Sequence, residues 1–296
     1  MNGIIVIDKE AGMTSADVVY HLRKILHFRK IGHAGTLDPE VTGVLPVAIG
    51  QATKLIERMH EKPKAYQGTG LFGLKTNSYD LDGEILAEKK LDSNLTKEEI
   101  SEAMNSFLGQ ITQVPPIYSA VKVNGKKLYE YARNGEEVEL PKRQVEVFEY
   151  NLIGEPRFDS EKGQVSFDFE IKCSKGTYVR SLVNDLGDKL GIPAVMTKLR
   201  RTASSGFTEK DAVSLQSLQE NPEKATEAIL PIASYFKDVA KYDLNDAEWK
   251  KVSNGASVQI ARNDNQIGLY YKGVLKAIYK KQGNIYKADL MLLQNS

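Results

Sequence analysis

Residues Gln164–Cys173 read QVSFDFEIKC, with Val165, Phe167, Phe169, Ile171 and Cys173 at every second position. A period of two sends successive side chains to opposite faces, so this run predicts a strand with one buried face. It passes directly into KGTYVRSLVNDLGDKLG, where Leu182, Val183, Leu186 and Leu190 line one side of a helix and Gly191 ends it. A half-buried strand feeding an amphipathic helix restricts the chain to sheet-and-helix layering.

The rest of the chain extends that pattern without a repeating βαβ period. GIIVIDK and VLPVAIG read as short buried strands and AYQGTGLFG as an alternating one. Thr14 and Asp17 predict a capped helix carrying Val18, Leu22, Ile25 and Leu26. Thr96 and Glu99 form a second capping box, followed by a stripe of Ile100, Met104, Phe107 and Leu108 with Gly109 as the predicted terminator. DLDGEIL holds an Asp-Gly hairpin signal. Irregular alternation with antiparallel signals predicts an α+β fold. A boundary falls near residues 239 to 242, giving domains 1–239 and 240–296. The second has one small helix, NDAEWKKVSNG, and three short strands joined by KG and QGN turns. It predicts a small β-barrel-like module docked on the main domain.

Composition narrows function mainly by exclusion. The single cysteine, Cys173, allows no intramolecular disulfide and falls at a core position of its strand, which fits a reducing cytoplasm. MNGIIVIDKE lacks the features of a signal peptide, and no apolar run is long enough to span a bilayer. The four histidines do not stand at metal-ligand spacing, and neither a Walker loop nor GxGxxG nor GxSxG is present. No metal or cofactor is expected. The net charge is only +1, but HLRKILHFRKIGH, from His21 to His33, carries four Arg and Lys residues and no acid. KLRR and YKGVLKAIYKK add two more basic runs, a distribution compatible with an anionic polymer on one face.

Carboxylate chemistry remains, and IGHAGTLDPEVTGVLPVAIG holds the strongest candidate, Asp38. Gly35 and Gly43 permit tight turns and close approach of another chain. Pro39 biases Asp38 toward an extended backbone, and Thr36 and Thr42 can bond the loop's main chain. Such a frame presents one carboxylate in a fixed direction, although Asp-Pro is also a common turn pair. An ionised, partly buried carboxylate wants a cation beside it, and Arg180, in the first turn of a predicted helix, stands on rigid scaffold.

GHAGTLDPEVTGVLPVAIGQATK, YSAVKVNGKKLYEYAR, CSKGTYVRSLVNDLG and KLRR, in this order and approximate spacing, resemble the successive signatures of the bacterial tRNA pseudouridine synthases of the TruB type. The resemblance covers nearly the whole chain and is weakest at the C-terminus. It implies a mainly antiparallel mixed sheet around an RNA-binding cleft and a PUA-like C-terminal domain. It implies isomerisation of uridine 55 in the tRNA T-loop, after base flipping and without cofactor or metal. By matching position it implies that Asp38 is the catalytic aspartate and Arg180 its partner, and that Tyr66 stacks on the base and assists proton transfer. Lys9, His33, Tyr178 and Leu199 are the implied substrate contacts. YSAVKVNGKKLYEYAR is implied to be a loop clasping RNA through its basic side chains. The chain departs from the family at Glu10, where the N-terminal Asp-Lys motif usually continues with proline. A cytoplasmic protein acting on tRNA as a monomer is the resulting expectation. Asp38 could attack C6 of the base, attack C1′ of the ribose, or abstract the 2′-proton. A non-catalytic tRNA-binding protein or folding chaperone is the main alternative. A two-carboxylate glycosidase pairing Asp38 with Glu40 is a weaker one.

Overall fold

The computed structural model describes residues 1–295. A ten-stranded sheet runs through residues 3–214. Its order is Val213–Ser214, Gly3–Lys9, Thr42–Ile49, Ala194–Ser204, Lys64–Phe72, Gln164–Cys173, Arg143–Asp159 and Gly109–Gln113, with Ile31–His33 and Phe207–Thr208 as side pairings. The pairings are antiparallel except those of Gly3–Lys9 with Val213–Ser214 and of Thr42–Ile49 with Ala194–Ser204. The fold is therefore α+β on a mixed, mainly antiparallel sheet.

The alternating segment behaves as its pattern requires. Val165, Phe167, Phe169, Ile171 and Cys173 are all buried, and helix Val179–Leu190 packs Leu182, Val183 and Leu186 into the same core. Phe167 and Phe169 fit because the neighbouring strand carries glycine where they cross it. A Cβ on Gly70 would lie 2.2 Å from the Phe167 ring, and one on Gly68 would lie 2.5 Å from that of Phe169. Both capping boxes form, Thr14 with Asp17 and Thr96 with Glu99. The second helix stops at Asn105, earlier than expected. Gly109, at φ +87°, instead starts strand Gly109–Gln113, and Leu108 is exposed. Sequence reading missed the 17-residue strand Arg143–Asp159, whose burial pattern is broken by register shifts against its partner.

The C-terminal module has its helix at Asp246–Val252 and the three expected strands at Gln266–Tyr271, Val274–Gln282 and Ile285–Met291. A fourth strand, Ala240–Asp243, joins in parallel at one edge. The sheet is open, with Ala240–Asp243 and Ile285–Met291 at its two edges, so the expected barrel-like module has the predicted strands without barrel closure. One face has its own core, including Val252, Leu269, Tyr279 and Tyr286. The other is taken by the main domain: Leu275, Ile278, Leu290 and Leu292 share a cluster with Ile4, Leu55 and Met59. Arg58 seals the seam, its Nη1 lying 2.7 Å from the Asp289 carboxylate. Among the described residues, no helix is long and apolar enough to cross a membrane.

Gly70→Ala forces a methyl group into the Phe167 ring, and overpacking of this kind costs about 1–3 kcal/mol. We expect a lower urea midpoint with an unchanged slope, measured by equilibrium unfolding.

Candidate active site

Asp38 lies at the wall of a cleft of about 1210 Å³, on a loop held by three neighbours rather than by its own threonines. Ser15 Oγ accepts from Leu37 N–H at 2.9 Å. Lys9 is fully buried, and its ammonium donates to the carbonyls of Glu10, Met13 and Pro39 at 2.7–2.8 Å. Arg201, also buried, donates to the carbonyls of Val44 at 2.8 Å, Gly35 at 3.1 Å and Thr36 at 3.4 Å. The two glycines serve as the sequence suggested. Gly35 and Gly43 have φ of +99° and +103°, and a Cβ on Gly43 would stand 2.2 Å from the Arg201 carbonyl oxygen. Two buried cations thus spend their donors on main-chain carbonyls, fixing the loop from below.

Arg180 approaches from the helix side, with Nη2 2.9 Å from Asp38 Oδ2. Its side chain is 7% exposed and that of Asp38 51%, so the guanidinium is sealed while the carboxylate opens to the cleft. Arg180 also donates to Asp80 Oδ2 at 3.0 Å and to the carbonyls of Ser78 at 2.9 Å and Tyr118 at 3.0 Å. A cation in the first turn of a helix opposes the dipole, and its two carboxylate partners offset that cost. The helix start is itself anchored by Gln113, whose Oε1 accepts from Tyr178 N–H at 2.7 Å while its Nε2 donates to the Tyr178 carbonyl at 3.0 Å.

Asp80 was read from sequence only as part of a hairpin signal. A hairpin is present there, pairing Leu74–Thr76 with Ile85–Glu88, but its connection runs through residues 77–84 rather than a tight Asp-Gly turn, and it carries the carboxylate to Arg180. Arg201 was likewise read only as part of a basic run. Local sequence gives no hint of either role, because each partner lies about a hundred or more residues away.

The other candidates separate. Leu199 lines the cleft, directly across from Gly68 on the neighbouring strand. Tyr66 is buried beside Arg201, its cross-strand partner, and burial pushes its phenol up to about 12, so it stays protonated at neutral pH. Tyr178 is half-buried at the start of the Arg180 helix, and burial raises its phenol too. Lys9 does not face the cleft, since its donors are occupied beneath the loop. Burial lowers its pKa, with Glu40 and Asp38 opposing. Its bond to the Glu10 carbonyl needs no side chain at that position, so the turn forms with glutamate in place of proline. His33 also lies outside the cleft lining, on Ile31–His33 paired with Thr42–Ile49. Its Nδ1 and the Nε2 of His60 are buried without a partner among the described residues, and burial lowers the pKa of both rings.

Comparison with known proteins identifies the family. Residues 23–179 match the family model "TruB family pseudouridylate synthase (N terminal domain)", and residues 180–237 match "tRNA pseudouridylate synthase B C-terminal domain". The tRNA pseudouridine synthase B of Lactobacillus acidophilus is 66% identical over 100% of this chain and 99% of its own length. That of Lactobacillus delbrueckii subsp. bulgaricus is 59% identical over 99% of each. A chain from a Cbf5-Nop10-Gar1 complex shares the fold with a TM-score of 0.69 and 26% identity, covering 99% of this chain and 86% of that one. The family models and these relatives define a pseudouridine synthase. The chain belongs to the TruB family.

Asp80→Asn preserves shape but removes one of the two charges that hold Arg180. The loss of such an oriented electrostatic partner lowers the chemical step by about 100-fold, to be read as single-turnover pseudouridine formation with RNA affinity unchanged. A separate expectation concerns acid. His33 and His60 bind a proton less readily folded than unfolded. Their contribution to stability is therefore complete above the unfolded pKa of about 6.5 and is lost as pH falls through the lower folded values. His33→Gln should reduce the fall in melting temperature between about pH 7.5 and 5.

Proposed function

We propose that this chain converts uridine 55 of the tRNA T-loop to pseudouridine, with Asp38 as the catalytic carboxylate. The observation that carries the reading is the Asp38–Arg180 pair: a half-exposed carboxylate aimed into a large cleft and held 2.9 Å from a buried guanidinium. The target base is stacked inside a folded loop, so it must be flipped out, at a cost of a few kcal/mol recovered from contacts in the cleft. The N1–C1′ bond breaks, the uracil turns, and a C5–C1′ bond forms. The proton leaves C5 and N1 ends protonated, so atoms balance without oxidant, water or cofactor.

Arg180 keeps the Asp38 carboxylate charged and oriented while it attacks C6, attacks C1′ or takes the 2′-proton. Tyr66, a protonated phenol beside Arg201 and buried outside the cleft lining, supports the base and assists proton transfer at C5 once the flipped base reaches it. Leu199, in the cleft lining, packs against the base, while Tyr178, outside that lining, caps the Arg180 helix. Lys9 and His33 act through the aspartate loop and the sheet behind it rather than by touching substrate. The helix Leu128–Asn134 and the Lys122–Lys127 hairpin clasp RNA, with Arg133 lining the cleft and Lys126 lying over the Tyr131 ring. Residues 240–296 form a PUA-like RNA-binding domain in an open-sheet variant, following a catalytic domain of residues 1–239. The protein works as a cytoplasmic monomer on the T-arm, the family relatives being named for tRNA.

The test is Asp38→Asn on an unmodified tRNA transcript, with pseudouridine and binding measured in parallel. We expect binding within about threefold of wild type and a rate lowered by at least about 10⁴-fold, as for loss of an essential nucleophile or base. Turnover like the wild type's removes Asp38 from the chemistry. Tight binding with no pseudouridine even from wild type favours the tRNA-chaperone reading.

A further inference from the structure

The hairpin that delivers Asp80 to Arg180 also carries an apolar side chain to the rim of the cleft. Leu81 is 54% exposed and lines the same cavity as Asp38. Leaving a leucine in water forgoes the gain from its burial, which makes a rigidly held one at an active-site mouth informative.

Its support is rigid. Thr76 Oγ1 donates to the Asp80 carbonyl at 2.6 Å, and Asp82 N–H donates to Asp80 Oδ1 at 3.2 Å. Asn77 closes the turn from the other side, its Oδ1 accepting from Glu84 N–H at 3.0 Å. A Cβ on Gly83 would meet Ser78 Oγ at 2.3 Å, so the turn lies flat on its own stem. The stem is tied to the sheet, where Met196 N–H donates to the Tyr79 carbonyl at 3.1 Å. Little chain entropy remains to be lost at this tip when a ligand binds.

The neighbours of Leu81 decide what the ligand is. Asp80, Asp82 and Glu84 line the cleft around it, with no lysine or arginine in the segment from 76 to 88. With Asp80 paired to Arg180, a phosphate backbone is still repelled by Asp82 and Glu84, whereas the face of a nucleobase carries no charge. We propose that Leu81 is a specificity-determining contact that packs on an unstacked base of the RNA next to the flipped uridine, while the flanking acids turn the phosphates away. This rests on the RNA-isomerase reading above. The hairpin then has two jobs: Asp80 faces inward to hold Arg180, and Leu81 faces outward to sort substrate.

The test uses the full chain and an unmodified tRNA transcript, with KM and kcat measured for Leu81→Glu, Leu81→Ala, Leu81→Met and the double change Asp82→Asn with Glu84→Gln. Leu81→Glu should raise KM by about tenfold or more, through the added charge at a base contact. Leu81→Ala should raise it by about fivefold through lost apolar contact. In both, kcat stays within about twofold of wild type, and Leu81→Met restores KM. Neutralising Asp82 and Glu84 should tighten binding of non-substrate RNA more than of tRNA, with a steeper salt dependence. Melting temperatures should match wild type, because Leu81 is exposed. An unchanged KM in Leu81→Glu, or a loss confined to kcat, overturns the proposal. A wild-type protein that makes no pseudouridine overturns the isomerase reading instead, which separates the two failures.

Discussion

A guanidinium sealed from water must have every strong partner it needs inside the protein, and the active site is organised around meeting that demand for Arg180. Its partners are two carboxylates and two carbonyls, from the aspartate loop, the 74–88 hairpin and the segment at Tyr118. Each segment is fixed relative to the others because each is fixed to the same cation. Removing one partner of a buried ion cluster leaves uncompensated charge, so the arrangement is strongly cooperative. The result is chemically useful. Asp38 is the more exposed of the two carboxylates in the cluster, so its carboxylate is oriented without being buried.

The same logic operates beneath the loop with opposite polarity. Lys9 and Arg201 are buried cations that meet carbonyl oxygens and no carboxylate, holding the turns on each side of Asp38. Carbonyl partners bring no negative charge close to the reacting group. They do fix loop geometry to within hydrogen-bond tolerance, which is the precision a nucleophile or base requires. The sheet supplies the frame for this. Gly43 lets the Arg201 strand come close, and Gly68 and Gly70 let two phenylalanines cross beneath the cleft floor. Glycine thus serves packing at three positions, and at Gly43 it also permits a positive φ.

Much of the fold was legible because its signals are local. The alternation in 164–173 and the two capping boxes each depend on a few adjacent residues and formed as read, while the Asp-Gly signal marked a hairpin whose connection is longer than a two-residue turn. The errors have physical causes. Gly109 reads as a helix stop by composition, but the helix had already ended, and the glycine serves a strand start. Arg143–Asp159 escaped notice because bulges and Gly154 interrupt its alternation. The barrel-like module expected at the C-terminus is an open four-stranded sheet with one face packed on the main domain, a contact that no reading of residues 240–296 alone could reveal.

What the sequence determined by itself was the α+β class, the family, and Asp38 with Arg180 as an isolated pair of candidates. Motif and periodicity are written in neighbouring residues, and matching segments carry residue identities with them. Tertiary structure decided which charges meet. It placed Asp80 on Arg180 from 100 residues away, and Arg201 under Gly35 from 166. It withdrew Lys9 from the cleft by occupying its donors, and left Leu81 at the rim among acids. Electrostatic partnership depends on distance in space and on exclusion of water, and neither is fixed until the sheet and its loops have packed.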